Sequence, residues 1–137
     1  MALTVRVVTP ERELWSGEAS MVIARGVEGE VGILAGHIPM LVSLAVGPLR
    51  IQREGAPENV VVVDGGFMHV TSEGDATRVD VLAEQAVASD EIDPVPIQAA
   101  LPELERAAED GDEAARARLA RARAQLAAAS GRSATPA

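Results

Sequence analysis

Asn59-Val60-Val61-Val62-Val63-Asp64-Gly65-Gly66-Phe67-Met68-His69-Val70-Thr71-Ser72-Glu73-Gly74-Asp75-Ala76-Thr77-Arg78-Val79-Asp80-Val81-Leu82-Ala83 decides the fold. Four consecutive valines read as a strand covered on both faces. Asp64-Gly65-Gly66 is a turn signal leading into the strand Phe67–Thr71. Glu73-Gly74-Asp75 is a second turn. Val79 and Val81 then alternate with Arg78 and Asp80, the two-residue period of a half-buried strand. Strands this short, with turns this close, predict a β-sandwich and not a parallel α/β fold.

Upstream, the pattern stays β. Leu3, Val5 and Val7 alternate with Thr4 and Arg6, and Pro10 ends that strand. Leu49 and Ile51 alternate with Arg50 and Gln52. Downstream, it changes after Ala83. Residues 84–96 are acidic and end in Asp93-Pro94-Val95-Pro96, which reads as a linker and helix start. Asp suits the cap and Pro the first turn. Ile97, Leu101, Leu104 and Ala108 recur at helical spacing, with Pro102 as a disturbance. Asp110-Gly111-Asp112 reads as a tight connection, and Glu113–Ala129 is Ala- and Arg-rich and helix-favouring. The expected organisation is a β domain over 1–85, a linker over 86–96, a helical hairpin over 97–129 and a frayed tail over 130–137. Helices this short are marginal alone, so the hairpin must dock on something.

Composition narrows the function. Twenty-one acids against twelve bases give a net charge of −9, and every base is Arg. Such a chain repels phosphate backbones and anionic headgroups. One Phe, one Trp and no Tyr leave little for stacking on bases. Cysteine is absent, which removes disulfides, thiol nucleophiles and Cys–metal sites. No apolar run approaches the ~20 residues of a membrane span. The opening MALTVRVV is an alternating strand, not a signal peptide, so a cytoplasmic location is expected.

Catalytic candidates are few. His69 sits in an apolar strand and reads as a packing or hydrogen-bonding residue. His37, with Glu28 and Glu30, would be the only set for a metal or for acid–base chemistry, as in a small metal-dependent hydrolase. Its spacing matches no ligand signature, so no metal or catalytic residue is expected. Gly26, Gly29, Gly32 and Gly36 lack the Lys of a phosphate loop. The serines lack a nucleophile elbow.

The hairpin is more informative. Residues 103–113 carry six acids (Glu103, Glu105, Glu109, Asp110, Asp112 and Glu113), while Arg116, Arg118, Arg121, Arg123 and Arg132 follow with no acid among them. Ala115, Leu119, Ala122 and Leu126 form one narrow apolar stripe. One reading is a helix pair laced by ordinary surface charge pairs. The other is a basic helix that leaves its place to dock on an acidic partner.

Four segments together resemble one family. Glu28-Gly29-Glu30-Val31-Gly32-Ile33-Leu34-Ala35-Gly36-His37-Ile38-Pro39-Met40-Leu41 is similar to the "GE-x-GI-x-x-x-H-x-P-L" loop of the ε subunits of bacterial F-type ATP synthases. Val63-Asp64-Gly65-Gly66-Phe67-Met68-His69-Val70 resembles that family's Gly-Gly hairpin. Leu14-Trp15-Ser16-Gly17 resembles its early turn, and Val81-Leu82-Ala83-Glu84 its closing strand. They occur in family order over about residues 3–93.

The resemblance implies a mainly β protein with an α appendage: a ten-stranded β-sandwich followed by an antiparallel two-helix hairpin. It implies a non-catalytic central-stalk subunit without a cofactor, peripheral on the cytoplasmic face of the membrane. Such a subunit couples the c-subunit ring to the γ subunit and supports proton-driven ATP synthesis. Gly29, Glu30, Val31, Gly32 and Ile33 would then contact the c ring, and His37, Ile38 and Met40 the γ subunit or the c ring. Arg116, Arg118, Arg121 and Arg123 would meet an acidic segment of a β subunit, with the α subunit as a further neighbour, and restrain hydrolysis. Relatives that bind ATP on the hairpin carry "I/L-D-x-x-R-A". Here Asp93 is retained, Pro96 replaces the Arg and Ile97 the Ala, so no ATP site is expected. The alternative is a free-standing β-sandwich adaptor, which has no reason to carry four ordered motifs.

Overall fold

A computed structural model describes residues 2–133 of the chain. The chain divides into two compact units at the Ala88–Ser89 junction. The first holds eight strands: β1 Leu3–Val8, β2 Glu13–Ala19, β3 Met21–Gly26, β4 Gly29–Leu34, β5 Met40–Ser43, β6 Gly47–Gln52, β7 Asn59–Glu73 and β8 Ala76–Ala88. They form one sheet in the order β2-β1-β8-β7-β6-β3-β4, with β5 paired to β7. All pairings are antiparallel except β1 with β8.

This sheet folds over on itself, and β7 and β8 make the fold. β7 pairs with β6 through Asn59–Val63 and with β5 through Phe67–Val70. Its inward residues are Val61 and Val63 in the first half, then Met68 and Val70 in the second. A strict two-residue period would have kept 61, 63, 65 and 67 on one face. The phase changes at Gly65 and Gly66, whose φ values are +78° and +113°. β8 switches with it, from Val79, Val81 and Ala83 to the packed Ala86. The pairing register stays constant through the bend, from Val61↔Ala88 to Glu73↔Ala76.

Eight strands, not ten, is therefore the count. Asp64-Gly65-Gly66 is a bend within β7 and not a turn between strands. β7 passes unbroken through both layers where two strands, Asn59–Asp64 and Phe67–Thr71, were expected, and β8 continues past Ala83 into residues expected as linker. Gly66 can only be glycine, because a Cβ there would lie 2.1 Å from the Leu82 carbonyl oxygen. The core is aliphatic: Leu3, Val5, Val7, Val22, Ile33, Leu49, Ile51, Met68, Val70, Val79 and Val81 are fully buried. That burial is the dominant favourable term in folding.

The second unit holds a 3-10 turn at Ser89–Glu91, helix α1 Pro94–Glu109 and helix α2 Glu113–Ser133. β8 thus runs past the expected boundary at residue 85, and α1 takes in residues expected as linker. α2 extends through residues 130–133 of the expected tail, and residues 134–137 lie outside the described residues. Asp93 caps α1 by accepting the Val95 N–H at 3.1 Å, with Pro94 at the first helical position. Pro102 lies inside α1, which continues through it. Pro94, Ile97, Leu101, Leu104, Ala107 and Ala108 are its buried or half-buried residues, a helical stripe. Ala115, Leu119, Ala122 and Ala129 are buried on α2, with Leu126 half-buried.

The connection, Asp110–Asp112, is three residues long. Gly111, at φ +91°, donates to the Ala108 carbonyl at 3.1 Å, and Asp112 donates to the Ala107 carbonyl at 3.2 Å. Those two bonds are the Schellman closure of a helix C-terminus. Asp112 then caps α2, its carboxylate accepting the Ala115 N–H at 3.2 Å.

Candidate interaction surface

Residues Gly29–Leu34 form β4, the terminal strand of the sheet, paired to β3 alone. An edge strand leaves backbone donors and acceptors available to another chain. Its side chains divide by the strand period. Gly29, Glu30, Gly32 and Leu34 are exposed, Val31 is half-buried against the core and Ile33 is wholly buried. The expected contact set is corrected accordingly: the Ile33 side chain fills the core and cannot meet a partner, and Val31 offers one little. A Cβ at Gly32 would meet only the Met21 methyl, the movable end of a flexible side chain.

The loop after β4 is pinned at two points. Gly36 N–H donates to the Thr77 hydroxyl at 2.8 Å, and the Ser72 hydroxyl donates to the His37 carbonyl at 3.1 Å. His37 is half-buried, with Nδ1 2.7 Å from the Ile38 carbonyl. Ile38 is 73% exposed, whereas Met40 packs against the core. Anchoring a loop this way holds an apolar tip in water, which is how scaffolds present binding residues.

Glu28, Glu30 and His37 do not converge. Glu28 precedes β4 and His37 follows it, and about five strand steps of ~3.3 Å lie between the strand ends. Among the described residues no group of three or more His, Asp and Glu is arranged to hold a metal ion.

Sequence reasoning missed one surface. On the outward side of β5, β7 and β8, cross-strand pairing places Ser43, Phe67, Leu82 and Val8 in one row. Leu41, His69, Asp80 and Arg6 form the next. Leu41 is 65%, Phe67 50% and Leu82 54% exposed. His69, expected as a packing or hydrogen-bonding residue, is exposed here between Leu41 and Asp80. Ion pairs rim the apolar row, Arg6–Glu13 at 2.7 Å and Arg78–Asp80 at 2.9 Å. Single exposed apolar residues are ordinary, but a contiguous group rimmed by charge marks an interaction site. The available signal was Phe67-Met68, two large apolar residues side by side where one must face outward.

On α2, Arg116 donates to the Ala108 carbonyl at 3.3 Å and to the Glu113 carboxylate at 3.0 Å. Arg118 and Arg121 line a groove of about 250 Å³ between the helices, facing Pro96, Ile97, Ala100 and Leu104. Arg123 is exposed. The four arginines therefore do not share one setting. Asp93 is occupied as a helix cap, and Pro96 contributes apolar wall to the groove.

Residues 2–89 match the family described as "ATP synthase, Delta/Epsilon chain, beta-sandwich domain". An ATP synthase epsilon chain from Thermobifida fusca is 52% identical over 130 residues, 93% of this chain and 91% of that one. The chain belongs to the ATP synthase epsilon chain family. The epsilon chain is a non-catalytic subunit of that complex. The epsilon chain of Teredinibacter turnerae is 38% identical over 134 residues, 92% of each chain. A chain in the cryo-EM structure of Euglena gracilis mitochondrial ATP synthase, solved with OSCP, F1 and the c-ring, superimposes with a TM-score of 0.72 at 28% identity. That match covers 97% of this chain and 80% of that one. A chain from the central stalk and c-ring of the Tetrahymena thermophila enzyme shares the fold, with a TM-score of 0.58 at 18% identity. As an epsilon chain it is part of a membrane-associated complex, and among the described residues no helix is long and apolar enough to cross a membrane.

Proposed function

We propose that the chain is a rotor subunit of a proton-translocating F-type ATP synthase, seated on the γ subunit and against the c ring. The observation that carries this reading is the exposed apolar patch of Leu41, Phe67 and Leu82 across the paired strands β5, β7 and β8. An aromatic and two leucines on a sheet's water-facing side cost solubility unless a partner covers them. Large apolar anchors within a charged rim are the residues that dominate protein–protein affinity. We assign this face, with Ile38 and His37 beside it in sequence, to γ. Edge strand β4, offering Gly29, Glu30 and Gly32, is assigned to the c-ring loops. The subunit would then lie on the cytoplasmic face of the membrane without entering the bilayer.

Regulation is the second part of the proposal. α2 carries Arg116, Arg118, Arg121 and Arg123 and no acid after Glu113. That helix would meet an acidic segment of a β subunit, next to α, and restrain ATP hydrolysis. The restraint would be set by a bias of a few kcal/mol between docked and extended hairpins.

Co-expression with the γ subunit of the same genome tests the first part. A one-to-one complex that survives moderate salt is expected, because the contact is apolar at its centre. Two folded proteins that fail to associate would sink the rotor reading and leave a free-standing adaptor. Deleting residues after Ala88 then separates coupling, expected to persist, from inhibition, expected to be lost.

A further inference from the structure

Arg50 stands between two carboxylates on the outward side of strands β6, β3 and β4. Glu30 on β4 is in register with Arg25 on β3, and Ile23 on β3 with Arg50 on β6. Their chain neighbours Val31, Ala24, Leu49 and Ile51 face the core, so Glu30, Arg25 and Arg50 all face outward. Two strand spacings of ~4.8 Å and two residue steps of ~3.3 Å put Glu30 and Arg50 about 12 Å apart at Cα. A Glu and a long Arg on one face can close that span. Glu58 lies on the other side of Arg50. It precedes β7, where Asn59 pairs with Ile51 and Val60 with Arg50, so it falls beside Gln52 and away from Glu30. Arg50 donates to it twice, Nε to Oε1 at 3.1 Å and Nη2 to Oε2 at 3.0 Å, and Gln52 donates to the same Oε2 at 3.0 Å. A two-pronged guanidinium–carboxylate pair fixes direction as well as adding energy. Arg25 is turned elsewhere too, its Cδ 3.0 Å from where a Cβ of Gly47 would stand. Glu30 is exposed, and its carboxylate has no hydrogen bond or ion pair among the described residues. It still acts on Arg50. That guanidinium is held above its ordinary value, first by the hydrogen bond to Glu58, against the effect of burial, and then by the charges of Glu58 and Glu30.

We propose that Glu58 is a positioning residue: it clamps Arg50 away from the β4 edge and so leaves the Glu30 carboxylate free for a cation on the partner that meets that edge. Without Glu58, Arg50 turns across Ile23 and pairs with Glu30 instead. The consequence for the rotor rests on the assignment of β4 to the c ring; the competition for Arg50 does not.

NMR of the full chain reads the titration of the Glu30 carboxyl directly. An approaching cation favours the charged form and lowers the midpoint. Glu58→Gln should lower the Glu30 midpoint by about half a pH unit, the scale of a solvent-exposed ion pair. Adding Arg50→Gln to Glu58→Gln should remove that shift, because the turned guanidinium is its source. An equal shift with and without Arg50 would overturn the proposal, since loss of the Glu58 charge alone would then account for it. No shift in Glu58→Gln would overturn it as well. In the assembled enzyme, proton pumping per ATP hydrolysed should fall about twofold in Glu58→Gln and recover in the double variant. A loss of pumping in Glu30→Gln with none in Glu58→Gln would overturn the positioning role. Full pumping in Glu30→Gln would instead sink the c-ring assignment, and the titration would still decide whether Glu58 clamps Arg50.

Discussion

Gly66→Ala tests the argument that one residue makes the corner of the β unit. The added Cβ would meet the Leu82 carbonyl oxygen at 2.1 Å and the Ala83 Cα at 2.8 Å, both backbone atoms. Neither can swing aside as a side chain would, so β7 and β8 must separate at the bend. Holding a non-glycine residue at φ +113° adds strain of about 1–3 kcal/mol. Forcing an extra methyl into a packed site adds about 1–3 kcal/mol. The sum, about 2–6 kcal/mol, is a large fraction of the ~5–15 kcal/mol that holds a typical domain folded. Two controls separate the contributions. Gly74 also has positive φ, +62°, but nothing within 4 Å of its Cβ position, so Gly74→Ala should cost about 1 kcal/mol. Gly65, at φ +78°, would meet only the flexible Glu84 carboxylate at 3.1 Å, so Gly65→Ala should fall between. Urea denaturation reads all three as midpoint shifts at constant slope. Equal midpoints for Gly66→Ala and Gly74→Ala would refute the claim that backbone contact at the corner dictates glycine.

Two further outcomes follow from charged groups. Burial pushes the Glu58 carboxyl up, but hydrogen bonds from Arg50 and Gln52 and the Arg50 charge outweigh it and hold the carboxyl below its ordinary value of 4.5. A lowered carboxyl contributes stability above its unfolded value and loses it as pH falls through the folded one. Glu58→Gln should therefore lower stability modestly at pH 7, by up to ~1 kcal/mol, and the gap should narrow as pH falls below the carboxyl's ordinary range; a gap that does not change with pH would contradict this. ATP should bind weakly or not at all by calorimetry, because Asp93 serves as a cap, Pro96 offers no cation and the only base of α1 is Arg106 in its last turn; saturable micromolar binding would overturn it.

Much of the fold was legible because its signals are local. The alternation of Leu3, Val5 and Val7, the Gly74 turn, the Asp93-Pro94 helix start and the Gly111 connection each depend on a few neighbouring residues. What was hidden depended on pairs distant in sequence. Gly65-Gly66 has the composition of a turn, and only the Leu82 backbone packed against it makes it a bend inside one strand. Pro102 is a helix breaker by its own chemistry, and α1 nevertheless continues through it. The Gly29–Ile33 and His37–Met40 segments were located by motif, but which side chains reach the surface is set by strand phase. That phase buries Ile33, while Ile38 stands exposed in the loop that Thr77 and Ser72 anchor. The outer face was missed because Leu41, Phe67 and Leu82 lie far apart in the chain and meet only through β5, β7 and β8.

The most direct test of the central claim is the affinity for the γ subunit of the same genome, measured by calorimetry for the parent chain and for Phe67→Ser with Leu82→Ser. Both side chains are half-exposed and outside the core, so the fold should persist, as an unchanged urea midpoint would verify. Removing two central apolar anchors should weaken binding at least tenfold. An unchanged affinity, with the fold intact, would contradict the assignment of this face to γ.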